Sequence, residues 1–279
     1  MNHTTIGIIG GAGAMGCWFE KFFSSFGYKV LISDLNTKLK NNDIVQKCDV
    51  IILSTPIDTA IKICKEIGPI LKKNQLLMDV CSQKEDIVKS MLECGISEVI
   101  GVHPMFGPFT ESLNGQNIIV VPARVKHWSG WLEGVLEKEN GVVTAMDAVD
   151  HDKHMALVQG LTHFLTVCMG RTMQKMNMKP EDTVSYSTPI FRLNCELLGR
   201  MFAQDLDLYA TLIGGNKYVK DTLDLFQESM EEVNRGLLSS NHNKGVKLLN
   251  SVQTYLGDYC EESLEKSNDF LKVLFSRYK

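Results

Sequence analysis

No stretch of this sequence approaches the ~18 uninterrupted apolar residues that a membrane-crossing helix needs, so no membrane span is expected. Basic residues are not in excess. Lys and Arg number 29 against 33 Asp and Glu, and the net charge of −4 offers no general footprint for nucleic acid. The eight cysteines include no C-x-x-C pair, which argues against a zinc ribbon or a dithiol redox motif. In a chain of this size they read as reduced thiols of a cytoplasmic protein. There is no H-E-x-x-H, and no carboxylate completes a ligand set around His151, His154 and His163, which lie near one side of a helix at spacings of three and twelve. No metal is expected. Internal repeats and low-complexity tracts are also missing. Strand-forming residues begin at Thr4, so no secretory leader is expected ahead of them.

What remains is an ordinary globular composition, 44% hydrophobic and 22% charged, over 279 residues. At ~150 residues per domain that predicts two domains. The first half alternates short β-branched runs with amphipathic segments, the pattern of βαβ units and a parallel, doubly wound sheet. Strands are expected at 4–9, 29–33, 49–56 (ending in a small-residue turn), 75–80 and through Val99, Ile100 and Val102 to His103, with 118–121 and 142–145 extending the sheet. Helices are expected after the glycine loop, running on through Trp18, Phe19, Phe22 and Phe23, and at 42–48, 58–72, 83–93 and 126–138.

Between the first strand and first helix, Gly11, Gly13 and Gly16 form G-x-G-x-x-G. Gly11 permits a tight turn, Gly13 lets backbone approach a pyrophosphate, and Gly16 lets helix and strand pack closely. The free amides of Ala14 and Met15 at the helix start receive the phosphate charge. Asp34 ends the second strand, 18 residues after Gly16. A carboxylate there accepts hydrogen bonds from both ribose hydroxyls and repels a 2′-phosphate, which favours NAD over NADP. Ser54, Thr55 and Pro56 make a small-residue turn able to lie along the cofactor.

The run Ser97-Glu-Val-Ile-Gly-Val-His-Pro-Met-Phe-Gly-Pro108 brings His103 to the carboxyl end of a buried strand, and stiff residues follow it. Ligands of open α/β sheets bind at such strand ends. Ser82 and Lys84 follow the neighbouring strand and face the same side. Ser82 is also in position to cap a helix, and Lys84 to be merely solvated.

From about Asp147 strands cease. Long helical patterns cover 148–177, 188–203, 205–213, 217–237 and 241–276. Their wide apolar faces fit a buried seam between two copies. Arg192 and Arg200 are eight apart, just over two turns, on an otherwise apolar helix. Internal salt bridges would account for them. So would a clamp for a carboxylate substrate, because Arg binds carboxylate through two parallel hydrogen bonds.

Together, the glycine loop, Ser82-x-Lys84, Gly-Val-His103-Pro-Met-Phe-Gly-Pro, His151-Asp152 with His163, and Ser-Thr-Pro-Ile-Phe-Arg192-(x7)-Arg200 resemble the prephenate dehydrogenase family, over essentially the whole chain. The likeness is closest to the dehydrogenase portion of the bacterial bifunctional chorismate mutase–prephenate dehydrogenase. Without a helical segment ahead of Thr4, the mutase domain is expected to be missing. The resemblance implies an α/β Rossmann-type NAD-binding domain at 1–147 and an all-helical dimerisation domain at 148–279. It implies a homodimer, NAD as cofactor, and oxidative decarboxylation of prephenate to 4-hydroxyphenylpyruvate in tyrosine biosynthesis. By the same resemblance His103 takes the proton of the ring C4 hydroxyl as hydride leaves, and Ser82 holds that hydroxyl. Arg200 is the principal carboxylate ligand and Arg192 a structural or secondary one. Lys84 and His163 line the substrate pocket, Tyr209 lies near the side-chain end, and L-tyrosine is a candidate feedback inhibitor. Activity is expected to rise with pH through an imidazole pKa of about 6.5. Competing readings are an arogenate or amino-prephenate dehydrogenase, an NAD-linked β-hydroxy acid dehydrogenase, and a non-catalytic NAD-binding sensor.

Overall fold

Short runs of Ile, Val and Leu build a seven-stranded sheet in the computed structural model, which describes residues 4–276. The strands are β1 (Thr5–Ile9), β2 (Lys29–Ser33), β3 (Val50–Leu53), β4 (Leu76–Asp79), β5 (Glu98–Pro104), β6 (Asn117–Arg124) and β7 (Val142–Ala145). Their spatial order is β2-β1-β3-β4-β5-β6-β7. The first five run parallel. β6 turns back antiparallel to β5, and β7 runs parallel to β6. The doubly wound expectation thus holds for the nucleotide-facing half, and the last two strands extend it in the opposite direction.

Successive side chains of a strand point to opposite faces, and both faces here are covered. Val50 and Ile52 enter a cluster with Ile6, Ile8, Phe19, Phe23, Trp128 and Leu132. Ile51 and Leu53 enter the other, with Ile44, Cys64, Ile67, Leu77 and Met91. Helix α1 (Ala14–Ser25) therefore packs on one face, and α2 (Asn41–Lys47), α3 (Ile57–Ile67) and α4 (Glu85–Cys94) on the other. Helix α5 (Trp131–Glu137) adds an aromatic seam to the first face, with Trp131 stacked on Phe23 at 6.0 Å. Helix α6 (Ala148–Met155) closes this part of the chain.

The chain divides into two compact units, Met1–Met155 and Ala156–Lys279. The division falls past the change of sequence character at 147/148, because α6 packs against α4 and buries His151, Asp152 and Met155. The second unit is all helical among its described residues. A π-helical segment, Ala156–Leu161, leads into α7 (Thr162–Met176). Then come α8 (Pro180–Thr183), α9 (Pro189–Phe202), α10 (Leu206–Gly214), α11 (Val219–Leu237), α12 (His242–Leu256) and α13 (Tyr259–Ser276).

One expectation of regular helix is modified and one of continuous helix gives way. Residues 148–176 stay helical without a break, with a π segment inside the run. There Gly160 lies so close to α11 that a β-carbon would sit 2.4 Å from the Val219 side chain. Residues 241–276 break at Gly257, whose φ of +57° lies in the left-handed region that only glycine enters cheaply. Large apolar side chains of this unit stay exposed, among them Leu157, Ile190, Phe202, Leu225 and Phe270.

Candidate active site

The loop after β1 forms the floor of a cleft of about 580 Å³. Gly10, Gly13, Ser33, Asp34, Ser54, Thr55 and Pro56 line it, joined by Leu35, Lys40, Asn41, Asn42, Thr59 and Ile63. The positive-φ residue of the turn is Gly10, at +81°, rather than Gly11. A β-carbon there would lie 2.2 Å from the Ser54 carbonyl. At Gly16 the clash would be with the Gly10 carbonyl, at 2.3 Å. These two contacts bring the start of α1 onto the strand ends. Gly13 caps α1 without a side chain, which leaves the first amides of the helix open to an anion. Gly11 packs against Ile32, and Met15 against the aromatic core, so their side of the loop supports the cleft.

Asp34 has a second task that spacing does not reveal. Its carboxylate accepts from the Ala12 amide at 3.0 Å and from the Leu35 amide at 2.7 Å, tying the glycine loop to β2. A half-buried carboxylate beside a loop of open amides fits a dinucleotide whose ribose hydroxyls meet the acid and whose pyrophosphate meets the helix. Lys40 stands in the same wall, with its ammonium engaged by the carbonyls of Thr37 and Leu35 at 3.1 and 3.4 Å. Sequence reading missed it, along with Asn41 and Asn42, because polar residues at the start of a short helix carry no periodic signal of a binding site.

His103 sits one residue before the end of β5, paired with Ile119 of β6, and is 2% exposed. It thus lies within a strand rather than in the turn beyond it. Its Nδ1 lies 2.8 Å from Nε2 of His151 on α6, and His151 Nδ1 lies 2.7 Å from Asp152 Oδ1. Asp152 in turn accepts the backbone amides of Lys84 and Glu85, at 2.8 and 2.9 Å. Its carboxylate therefore caps α4 from a distance, and no side chain of α4's own cap does so. The role of helix cap held open for Ser82 goes to Asp152. Among the described residues the half-buried Ser82 hydroxyl has no hydrogen bond, and it stands next to the strand end that follows Asp79.

The resemblance puts Lys84 in the wall of a substrate pocket, and in the structure its side chain is fully buried. Its ammonium donates to Asp79 Oδ1 and to the carbonyl of Val102, the residue before His103, at 2.9 Å. Among the described residues Asp79 Oδ2 has no hydrogen-bond partner, and burial pushes the Asp79 pKa up despite the lysine beside it. Removing one partner of such a pair strands a buried charge, at a cost of about 3–5 kcal/mol. Lys84 thus fixes β5 to the β4–α4 turn.

The ordinary imidazole pKa expected for His103 is overturned. Burial first, then the neighbouring His151 and Lys84, hold it well below 6.5. His103 is therefore a neutral imidazole throughout the neutral range.

In the second unit, His163 packs edge-on against Tyr209, with ring centroids 4.9 Å apart, and burial lowers its pKa. Arg192 donates to the Val184 carbonyl at 2.6 Å and lies 5.8 Å over the Phe275 ring, so it ties α9 to its surroundings. Arg200, in the last turn of α9, is exposed, and its guanidinium has no hydrogen bond or ion pair among the described residues. The two arginines separate into one structural and one available cation.

Comparison with known proteins adds to this geometry. A family model described as prephenate dehydrogenase, nucleotide-binding domain, matches residues 29–145, and one described as prephenate dehydrogenase, dimerization domain, matches 147–251. A protein of Methanocaldococcus jannaschii named "Probable arogenate/prephenate dehydrogenase" is 30% identical, over 98% of this chain and 66% of its own length. The T-protein of Haemophilus influenzae is 28% identical, over 95% of this chain and 70% of its own. This chain thus spans about two thirds of each. Among solved structures, prephenate dehydrogenase from A. aeolicus in complex with hydroxyphenyl propionate and NAD+ has the same fold, with a TM-score of 0.73 at 21% identity over 91% of this chain and 98% of that one. Synechocystis arogenate dehydrogenase does too, with a TM-score of 0.71 at 17% identity over 92% and 99%. With both domain models of one family met in order along its length, this chain belongs to the prephenate dehydrogenase family.

Proposed function

We propose that this chain is an NAD-dependent dehydrogenase that converts prephenate to 4-hydroxyphenylpyruvate, a step toward tyrosine. The observation that carries the reading is His103, a buried, uncharged imidazole at the carboxyl edge of a nucleotide-binding sheet. Such a group is poised to accept a proton from an alcohol. When bound, NAD supplies the hydride acceptor. The chain's own residues supply the rest. The amides at the start of α1 and the Asp34 carboxylate hold and orient the dinucleotide, with Ser54, Thr55 and Pro56 along its side. The Asp34 charge works against a 2′-phosphate, which supports NAD over NADP. Ser82 holds the ring C4 hydroxyl, and His103 removes its proton as hydride departs. Arg200 binds a substrate carboxylate, while His163 and Tyr209 bound the side-chain end. Loss of CO2 and formation of an aromatic ring make the reaction favourable, so orientation and a base are the main things the protein must provide.

The exposed apolar faces of the helical unit and its match to a dimerization-domain model support a homodimer. A hydrophobic face of that extent is ordinarily covered by a second copy. L-tyrosine, which resembles the product, is a candidate inhibitor at the His163–Tyr209 end.

The M. jannaschii relative's name joins arogenate to prephenate, so arogenate is the second reading. The two substrates differ only at the side chain, where one contact can reverse preference. Mixing purified protein with NAD and each substrate in turn tests this. NADH absorbance is expected to rise with a kcat/KM for prephenate at least about tenfold above that for arogenate, about 1.4 kcal/mol in transition-state binding. The reverse ratio would assign the chain to arogenate, and no NADH with either would leave a non-catalytic sensor.

The same assay run against pH reads the state of His103. Catalysis needs the uncharged ring, and its depressed pKa keeps that form present far into the acid range. We expect kcat/KM to be level through neutral pH and to fall only well below 6.5. An inflection at or above 6.5 would contradict the burial seen here.

A further inference from the structure

We propose that His151 and Asp152 form a buried relay that locks His103 in its Nδ1–H tautomer, making Nε2 the nitrogen that takes the substrate's proton. The inference rests on the reading of His103 as the base. Neither His151 nor Asp152 touches the reacting atoms, so both are positioning residues.

Asp152 receives three donors, the amides of Lys84 and Glu85 and the Nδ1 side of His151. Both of its oxygens already accept backbone amides, Oδ1 from Lys84 and Oδ2 from Glu85, so toward His151 it acts as an acceptor. Facing an obligate acceptor at 2.7 Å, His151 must carry its proton on Nδ1. A neutral His151 then has a lone pair on Nε2, and its 2.8 Å contact with His103 Nδ1 requires the hydrogen to lie on His103. With Nδ1 protonated, the lone pair of neutral His103 is on Nε2. Each step forces the next, and the forcing element is a carboxylate fastened to the start of a helix.

The alternative is a doubly protonated His151 that donates from Nε2 to His103. That would place an imidazolium at a fully buried position and leave His103 with its lone pair spent on Nδ1, useless toward substrate. The relay has a second consequence. As His103 gains positive charge, its Nδ1–H already points along a line of hydrogen bonds ending on an anion, which favours the charged form in the transition state without moving any group. This is the logic by which a buried carboxylate orients a catalytic imidazole in hydrolases, lengthened here by one more ring.

Nothing in the linear sequence announces this arrangement. His103 and His151 are 48 positions apart, and Lys84 and Asp152 are 68 apart. The ionisable groups facing the histidine pair include Asp152 on α6, and Lys84 with its partner Asp79 on the β4–α4 side.

The test uses the full chain with 15N-labelled histidine. Long-range 1H–15N spectra at neutral pH, without substrate, are expected to show His103 protonated on Nδ1 alone. His151→Gln keeps an acceptor oxygen near the place of Nε2, and should retain that tautomer and kcat to within about threefold. His151→Leu removes the acceptor. It should shift His103 toward the Nε2–H form and lower kcat about 100-fold with little change in substrate KM. An Nε2–H tautomer of His103 in the wild-type protein overturns the proposal, as does a His151→Leu variant with unchanged tautomer and kcat. If His151→Leu does not fold, the wild-type spectrum and the Gln variant still decide. The tautomer is read without turnover, so a failure of the relay is distinct from a failure of His103 as base, which His103→Asn reports separately.

Discussion

Replacing His103 with Asn is expected to lower kcat by about 10³-fold, within the 10²–10⁴ range typical of losing a positioned general base, while KM for the substrate changes by less than about threefold. On the free-energy scale that is roughly 4 kcal/mol of transition-state stabilisation. Asparagine suits the test because its amide falls near the place of the imidazole Nδ1, where it can still donate to His151 Nε2. The buried histidine thus keeps a partner, and the fold loses little. What disappears is the second nitrogen, the one able to accept a proton. The assay is NADH formation with saturating NAD across a substrate series, and binding is checked by protection of the protein against heat. A variant that retains a tenth or more of wild-type kcat would remove His103 from the base role, whatever its position in the sheet.

The parts of this site differ in how far sequence alone could locate them. The nucleotide half was legible because its rules are local. Gly13 and Gly16 lie within one turn of chain, and Asp34 closes the next strand, so a strand–loop–helix–strand reading already brings them together. Even there the spacing misjudged one detail. The left-handed residue is Gly10, outside the motif, because the turn must clear the Ser54 carbonyl of a strand not yet reached in the sequence. His103 was legible as a strand-end residue, since β-branched neighbours and the prolines after it announce the element. Its ionisation was not. That depends on burial by β6 and α6 and on the nearby Lys84 ammonium, which are facts of packing. Lys84 shows the same limit. A lysine after a strand is ordinarily solvated, and only the fold reveals that Asp79 and the Val102 carbonyl hold it inside. Regular α geometry gave way in the π segment that holds Gly160, packed on Val219, and helix continuity failed at Gly257 for backbone conformation. Apolar periodicity cannot register either effect.

Arg200→Ala is expected to raise KM for the substrate by about 30- to 100-fold while kcat falls less than about threefold. This is the pattern of an interaction made equally in ground and transition states. The magnitude corresponds to about 2–3 kcal/mol, the value of a charge-assisted, two-pronged contact with a carboxylate. Two features make Arg200 the arginine to choose. Its guanidinium is exposed and has no partner among the described residues, so no internal ion pair is lost with it. Its place in the last turn of α9 means that the cation offsets the negative end of the helix dipole, an effect worth only about 0.3–1 kcal/mol at an exposed site. The variant should therefore melt within a few degrees of wild type. Arg200→Lys keeps the charge but loses the planar fork, and should recover only part of the affinity. Arg192→Ala is the contrasting case. That guanidinium holds the Val184 carbonyl and covers the Phe275 ring, so its loss should appear first as a lower melting temperature, with a smaller change in KM. Steady-state kinetics and thermal melts on the three variants separate these outcomes. Should Arg200→Ala leave KM unchanged while Arg192→Ala raises it, the carboxylate ligand would be Arg192, and the division of labour along α9 would be the reverse of the one argued from their contacts.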